Sequence, residues 1–318
     1  MTKIIVFPGQ GSQKLNMGKS FYDNSPAAKS VFDLADKIMG YSITDIIFGD
    51  DASALTDTQN SQLALLTVSI AALRALEEKL GYKLSAKNFI FAGHSLGEYA
   101  ALHASGALEL EEAMQLLKAR GAAMKLAAEA NPGGMAAILG GNPDIVNEII
   151  NKASEGSDLK LQVANYNTAG QIVISGHQEL VDRASELAKE YRESGVKRAM
   201  KLPVSGAFHS SLMQSAQDEM QQLINNAKLR NPECDVISNF TAKASGNSED
   251  LRDALLKQIT GSVRWEETMK EAKDRGCTEV IEIGSGQVLS GLFAKSGHSF
   301  KISNLSTFDQ LQDIVDSF

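Results

Sequence analysis

Apolar residues follow two periods along this chain, and the order in which the periods alternate predicts its architecture. A β-branched run from Lys3 to Phe7 stops at Pro8-Gly9, the pattern of a buried strand leaving its sheet into a tight loop. Ser25-Pro26 supplies an N-cap and a first-turn proline ahead of Val31, Leu34, Ala35 and Ile38, whose spacing is helical, and Gly40 ends the segment. A second long helical stretch runs from Gln62 to Leu80 and stops at Gly81. The short apolar run Asn88 to Ala92 is followed by Gly93-His94-Ser95-Leu96-Gly97 and then by an alanine-rich helical segment. Strand, sharp turn and helix therefore come in order.

The texture changes at Asn131-Pro132-Gly133-Gly134. From there the periods predict strand Met135 to Leu139, helix Asp144 to Ala153, strand Leu159 to Asn165, strand Gln171 to Ser175, helix Glu179 to Ser194 and strand Val196 to Leu202, a ferredoxin-like order. Asp235 to Ser238 and Glu279 to Ile283 then read as further buried strands of a mainly parallel sheet. The expected fold class is α/β, with a discontinuous large catalytic domain (1–130 and 202–318) and an inserted small ferredoxin-like subdomain (131–201).

Length and composition are compatible with this. A chain of 318 residues favours one large domain plus a smaller one, and 43% hydrophobic with 22% charged residues is ordinary globular composition. Pro8 interrupts the first apolar run before an export or membrane segment could form, so a cytoplasmic location without membrane association is expected. Cys234 and Cys277 have neither disulfide-framework nor metal-ligand spacing. A formal charge of -8 argues against nucleic acid as a partner.

Gly93-x-Ser95-x-Gly97 has the spacing of a nucleophile elbow, in which glycines leave room around a serine on a strained strand-to-helix turn. The helix that follows aims its N-terminal amides and dipole at Ser95, favouring negative charge there. A serine hydroxyl needs a base. Of the five histidines, His209 is the best placed, in the Leu202 to Ser210 loop where the chain re-enters the large domain. His94 is expected to point away from Ser95, and His103, His177 and His298 lack a comparable setting.

Arg120 lies in a helical run beside Leu116, Leu117, Ala123 and Met124, so no carboxylate three or four residues away can pair with it. It either makes a tertiary ion pair, snorkels to the surface, or clamps a substrate carboxylate in bidentate fashion. Phe7-Pro8-Gly9-Gln10-Gly11-Ser12-Gln13 is a glycine-bearing loop at the end of the first strand, where α/β sheets bind ligands, and its amides could complete an oxyanion hole. No Gly-Lys-Ser/Thr follows, and Gly284-Ser285-Gly286 lacks the third glycine of a dinucleotide fingerprint, so no cofactor is expected.

Taken together, Phe7 to Gln13, Gly93 to Tyr99 and Ser205-Gly206-Ala207-Phe208-His209 resemble the malonyl-CoA:acyl carrier protein transacylases of fatty acid synthesis. Arg120-Gly121 with Met124, Asn165-Tyr166-Asn167, Val263-Arg264-Trp265 and Ile281-Glu282-Ile283-Gly284 extend the resemblance over nearly the whole chain. It implies a hydrolase-like α/β domain with a ferredoxin-like insertion and a monomer acting on malonyl-CoA and acyl carrier protein. It also implies Ser95 as acylated nucleophile, His209 as its base, and Arg120 as the ligand of the malonyl carboxylate. The amides of Gln10 and Leu96 would form the oxyanion hole. Gln258 falls in a region that positions the histidine through a carbonyl rather than a carboxylate.

Phe208 should narrow the pocket toward malonyl over methylmalonyl, and Asn167 belongs to the substrate-binding set by the same resemblance. Leu63, His103 and Ser262 depart from the family pattern, and Ser262, in place of proline, is expected to loosen the loop near Gln258. Lys189, Lys197, Arg198 and Lys201 form a candidate docking patch for an acidic carrier. A serine thioesterase would share the elbow, and a non-catalytic docking module would need this chemistry broken.

Overall fold

A computed structural model describes residues 2–318. Strands β1 (Thr2–Phe7), β2 (Ile90–Gly93), β7 (Val236–Ile237), β8 (Ala244–Ser245), β9 (Cys277–Ile283) and β10 (Lys301–Leu305) make a six-stranded sheet in the order β10-β9-β1-β2-β7-β8. Its pairings are parallel except that between β7 and β8. Both faces are buried: Ile5, Phe7, Phe91, Ile281 and Ile283 enter one hydrophobic cluster, while Ile4, Val6, Ile90, Ala92 and Val280 enter another. Two covered faces are why these strands read as continuous apolar runs rather than as alternating ones.

The remaining strands, β3 (Gly133–Gly140), β4 (Leu161–Thr168), β5 (Gln171–His177) and β6 (Val196–Lys201), form an antiparallel sheet in the order β4-β5-β3-β6. Helices Pro143–Ser154 and Gln178–Leu187 join its strands in the expected ferredoxin-like sequence. Ala136, Ile138, Ile172 and Ile174 face those helices, whereas Met135, Ala137 and Val173 on the other face join the large cluster of the parallel-sheet region. One face of the insertion is thus continuous with the main core.

Some elements differ from the sequence expectation. The helix expected over 179–194 ends at Leu187 and gives way to a 3-10 turn, Ala188–Tyr191, before Gly195 at φ 97°. The strand expected over 235–238 is paired only at Val236 and Ile237, because the chain then turns to bring Asn239 under the elbow. The edge strand β10 was not foreseen. Ser262 does not leave its loop free, since its Oγ donates to the Val163 carbonyl at 2.6 Å and Val263 bonds to the β4 main chain. No helix among the described residues is long and apolar enough to cross a membrane.

Candidate active site

Ser95 occupies the turn between β2 and the helix Gly97–Ala104, at φ 52°. The flanking glycines are a packing requirement: a Cβ on Gly93 would stand 1.9 Å from the Gly97 carbonyl oxygen, and one on Gly97 would stand 2.3 Å from that of Phe7. Asn239, from the end of β7, clips the turn from below. Its Oδ1 accepts from the Ser95 amide at 2.6 Å and its Nδ2 donates to the Gly93 carbonyl at 2.6 Å. These bonds hold a positive φ that a non-glycine residue adopts only when its surroundings over-determine it.

The loop after β6 delivers His209, also at positive φ (55°), with Nε2 2.8 Å from Ser95 Oγ. Its Nδ1 lies 2.8 Å from the main-chain oxygen of Gln258, an acceptor only, so Nδ1 carries the proton and the Nε2 lone pair faces the hydroxyl. Burial first, and the Arg120 charge second, push the imidazole down to about 3. The ring is therefore neutral at physiological pH.

Arg120 reaches the same oxygen from the protein side. It is buried, with Nη2 donating to Ser95 Oγ at 3.1 Å and to Gln258 Oε1 at 2.9 Å, and Nη1 donating to Gln62 Oε1 at 2.6 Å. Nε has no partner. The guanidinium is thus held by neutral amides and a hydroxyl, with no carboxylate among the described residues bonded to it, and burial draws its pKa below the ordinary arginine value. Gln258 joins everything together: its main-chain carbonyl accepts from His209 Nδ1, its Oε1 accepts from Arg120, and its Nε2 donates to the Ser95 carbonyl at 3.0 Å and to Glu98 Oε2 at 2.7 Å.

A cavity of about 320 Å³ opens over Ser95 between the two sheets, lined by His209, His94, Gln10, Met124, Phe208 and Asn165 among others. The amides of Gln10 and Leu96 donate to no acceptor among the described residues, and Leu96 begins the turn whose helix dipole points at Ser95. His94 makes no bond to Ser95 but does line the cavity, its ring packed on Trp265 at 5.4 Å between centroids. Asn167 stands behind it, its Oδ1 3.0 Å from His94 Nε2, while Asn165 faces the cavity instead. In the basic patch, Lys189 pairs with Glu186 and Lys201 with Asp182, leaving Lys197 and Arg198 without an ion pair among the described residues.

Asn239, Glu98 and Gln62 were missed as site residues. One signal was present: a polar residue directly after a parallel strand lies at the carboxyl edge of the sheet, where α/β sites form. Glu98 is a carboxylate within an otherwise buried alanine-rich helix, which demands a partner. Gln62 directly follows the polar run Gln59-Asn60-Ser61 and gives no comparable sign.

The acyl transferase domain model matches residues 4–309. The malonyl CoA-acyl carrier protein transacylase of Bacillus subtilis is 43% identical over 302 residues, covering 95% of this chain and 92% of that protein. The acyl-carrier-protein-S-malonyltransferase structure from Bartonella henselae superposes with a TM-score of 0.94 at 38% identity, over 100% of this chain and 99% of that one. A malonyl-transacylase solved in complex with its type II PKS acyl-carrier protein gives 0.92 at 30% identity, with 100% of both chains covered. The matched span, residues 4–309, takes in both sheets and the turn at Ser95, so the chain belongs to the malonyl-CoA:acyl carrier protein transacylase family of acyltransferases.

Proposed function

We propose that this protein moves a malonyl group from malonyl-CoA to the phosphopantetheine thiol of acyl carrier protein through a malonyl ester on Ser95. The observation that carries the reading is the placement of Ser95 Oγ between a neutral imidazole at 2.8 Å and a buried guanidinium at 3.1 Å. The first can take the hydroxyl proton; the second can hold the free carboxylate of a dicarboxylic acyl group.

In the first half-reaction His209 Nε2 accepts the Ser95 proton as Oγ bonds to the thioester carbon. The unpaired amides of Gln10 and Leu96 stabilise the resulting oxyanion. The carbon–sulfur bond then breaks, and the coenzyme A sulfur departs with the proton from His209. In the second half-reaction the carrier thiol gives its proton to His209, attacks the ester, and Ser95 regains a hydrogen. A thiol of pKa roughly 8.5 leaves far more readily than an amine, so a serine–histidine pair steadied by a carbonyl suffices without a triad acid.

The substrate also adjusts its own base. Arg120 is one cause of the low His209 pKa. Pairing the guanidinium with the malonyl carboxylate offsets that charge, so the imidazole becomes more basic when the cognate acyl group is in place.

The test is to incubate the protein with labelled malonyl-CoA and map the modified residue by mass spectrometry. A malonyl ester on Ser95 that is stable to water and discharged by carrier protein is the expected outcome. Rapid loss to water without carrier would favour a thioesterase, and unchanged transfer by Ser95→Ala would refute the serine route.

A further inference from the structure

Behind the elbow lies an ionisable group that the mechanism above does not use. Glu98, on the helix Gly97–Ala104, is 0% exposed. Its Oε2 accepts from the Asn239 amide at 3.1 Å and from Gln258 Nε2 at 2.7 Å, while its Oε1 has no partner among the described residues. The Gln258 amide that donates to Glu98 accepts from Arg120 at its other end, so a single side-chain amide separates the carboxyl from the guanidinium. Arg120 Nε and Tyr99 Oη, nearby, are likewise without partners.

We propose that Glu98 is a positioning residue that shares the charge of Arg120 with the acyl carboxylate, and that it takes up a proton from solvent whenever a malonyl group is loaded onto Ser95. This rests on the malonyl reading above. Glu98 and Arg120 are both buried, so the charges beside them must balance locally. Among the described residues, Arg120 is the one cation acting on Glu98; the other titratable groups around the pair are Tyr99 on the same helix, held neutral up to about 12, and His209 beyond Arg120, neutral above about 3. His94 acts on His209 and is itself lowered by burial.

Without substrate, one anion can share one cation through Gln258. With malonate aboard, two anions would share it, and a buried charge without its own counter-ion is strongly disfavoured. The malonyl carboxylate can pair with the guanidinium directly. Glu98 meets it only through an amide and keeps one oxygen bare, so Glu98 is the group that becomes neutral. Burial already pushes its carboxyl up to about 7, so the proton it needs is available near physiological pH.

The experiment measures acylation of Ser95 from about pH 6 to about pH 9, using malonyl and acetyl thioesters of N-acetylcysteamine, which carry no titrating phosphate. In the wild type, malonylation efficiency falls at least about tenfold between roughly pH 7 and pH 9, whereas acetylation does not follow that fall. Glu98→Gln keeps the hydrogen-bonding shape without a titrating charge, and it flattens the malonyl profile. A variant with the wild-type slope, a folded variant that does not load at all, or a wild type without the slope overturns the proposal.

Should Glu98→Gln fail to fold, as judged by circular dichroism, the wild type still decides the matter in weakly buffered indicator solution near pH 8. Malonylation must then take up about one proton per acylated serine, and acetylation none. Absence of any Ser95 ester would sink the malonyl-transfer reading itself, while ester formation without proton uptake sinks this inference alone.

Discussion

Asn239→Ala removes the clip beneath the elbow. Two buried main-chain groups lose their partners together: the Ser95 amide, bonded at 2.6 Å, and the Gly93 carbonyl, also at 2.6 Å. Each buried group left unsatisfied costs about 1–3 kcal/mol, so the loss of stability should be roughly 2–6 kcal/mol, nearer the low end where water enters the space. Urea unfolding followed by far-ultraviolet circular dichroism, with the slope unchanged from wild type, gives this number directly.

The same change should reach the chemistry. Ser95 sits at φ 52° and is free to relax once its amide is released, drawing Oγ away from His209. A displacement of about 1 Å costs on the order of 10²-fold in rate, and stopped-flow acylation measures it. Asn239→Asp separates shape from charge. Only the protonated acid can donate to the Gly93 carbonyl, so its folded pKa is raised, and its stability should be greatest at low pH and decline as pH rises through that value. A loss in Asn239→Ala of less than about 0.5 kcal/mol would refute the reasoning, because two unsatisfied buried groups cannot cost so little.

Arg120→Ala should reduce malonylation of Ser95 by roughly 10–150-fold, the worth of a charge-assisted hydrogen bond, while acetylation is retained or raised; equal losses in a competition assay would remove the clamp. Phe208→Ser should widen the cavity and raise methylmalonyl relative to malonyl loading, read as the ratio of acyl-enzymes by intact mass. His103 accepts from Arg74 Nη2 at Nε2 (2.8 Å) and bonds the Leu108 carbonyl through Nδ1 (2.9 Å), and burial pushes it down to about 4. The unfolded chain binds a proton there at about pH 6.5, before the folded one does, so stability is lost as pH falls from that value toward the folded pKa. His103→Gln should lessen the drop in Tm on moving from about pH 7.5 to about pH 5, and an undiminished drop would assign the acid sensitivity to other groups.

The sequence by itself determined the order of most elements, the ferredoxin-like insertion, and the elbow, because strand and helix periods and the glycine spacing follow from local sterics and one-dimensional burial. It also brought forward Ser95, His209 and Arg120, the last because a helical arginine without a carboxylate in reach must be satisfied elsewhere. It missed β10, whose half-buried residues Ile302, Ser303 and Asn304 carry a weak strand signal, and it overextended the strand at Val236–Ile237. Only the tertiary structure decided what surrounds the serine. Gln258 meets Ser95 across 163 residues of chain, and Asn239 across 144, through hydrogen bonds that have no period and no fixed spacing. Which partner each of these amides and carboxyls meets has no local signature in the sequence. It is their burial beside one another, once two sheets close around the elbow, that obliges each to bond to the next and joins the serine, histidine, arginine and glutamate into one network.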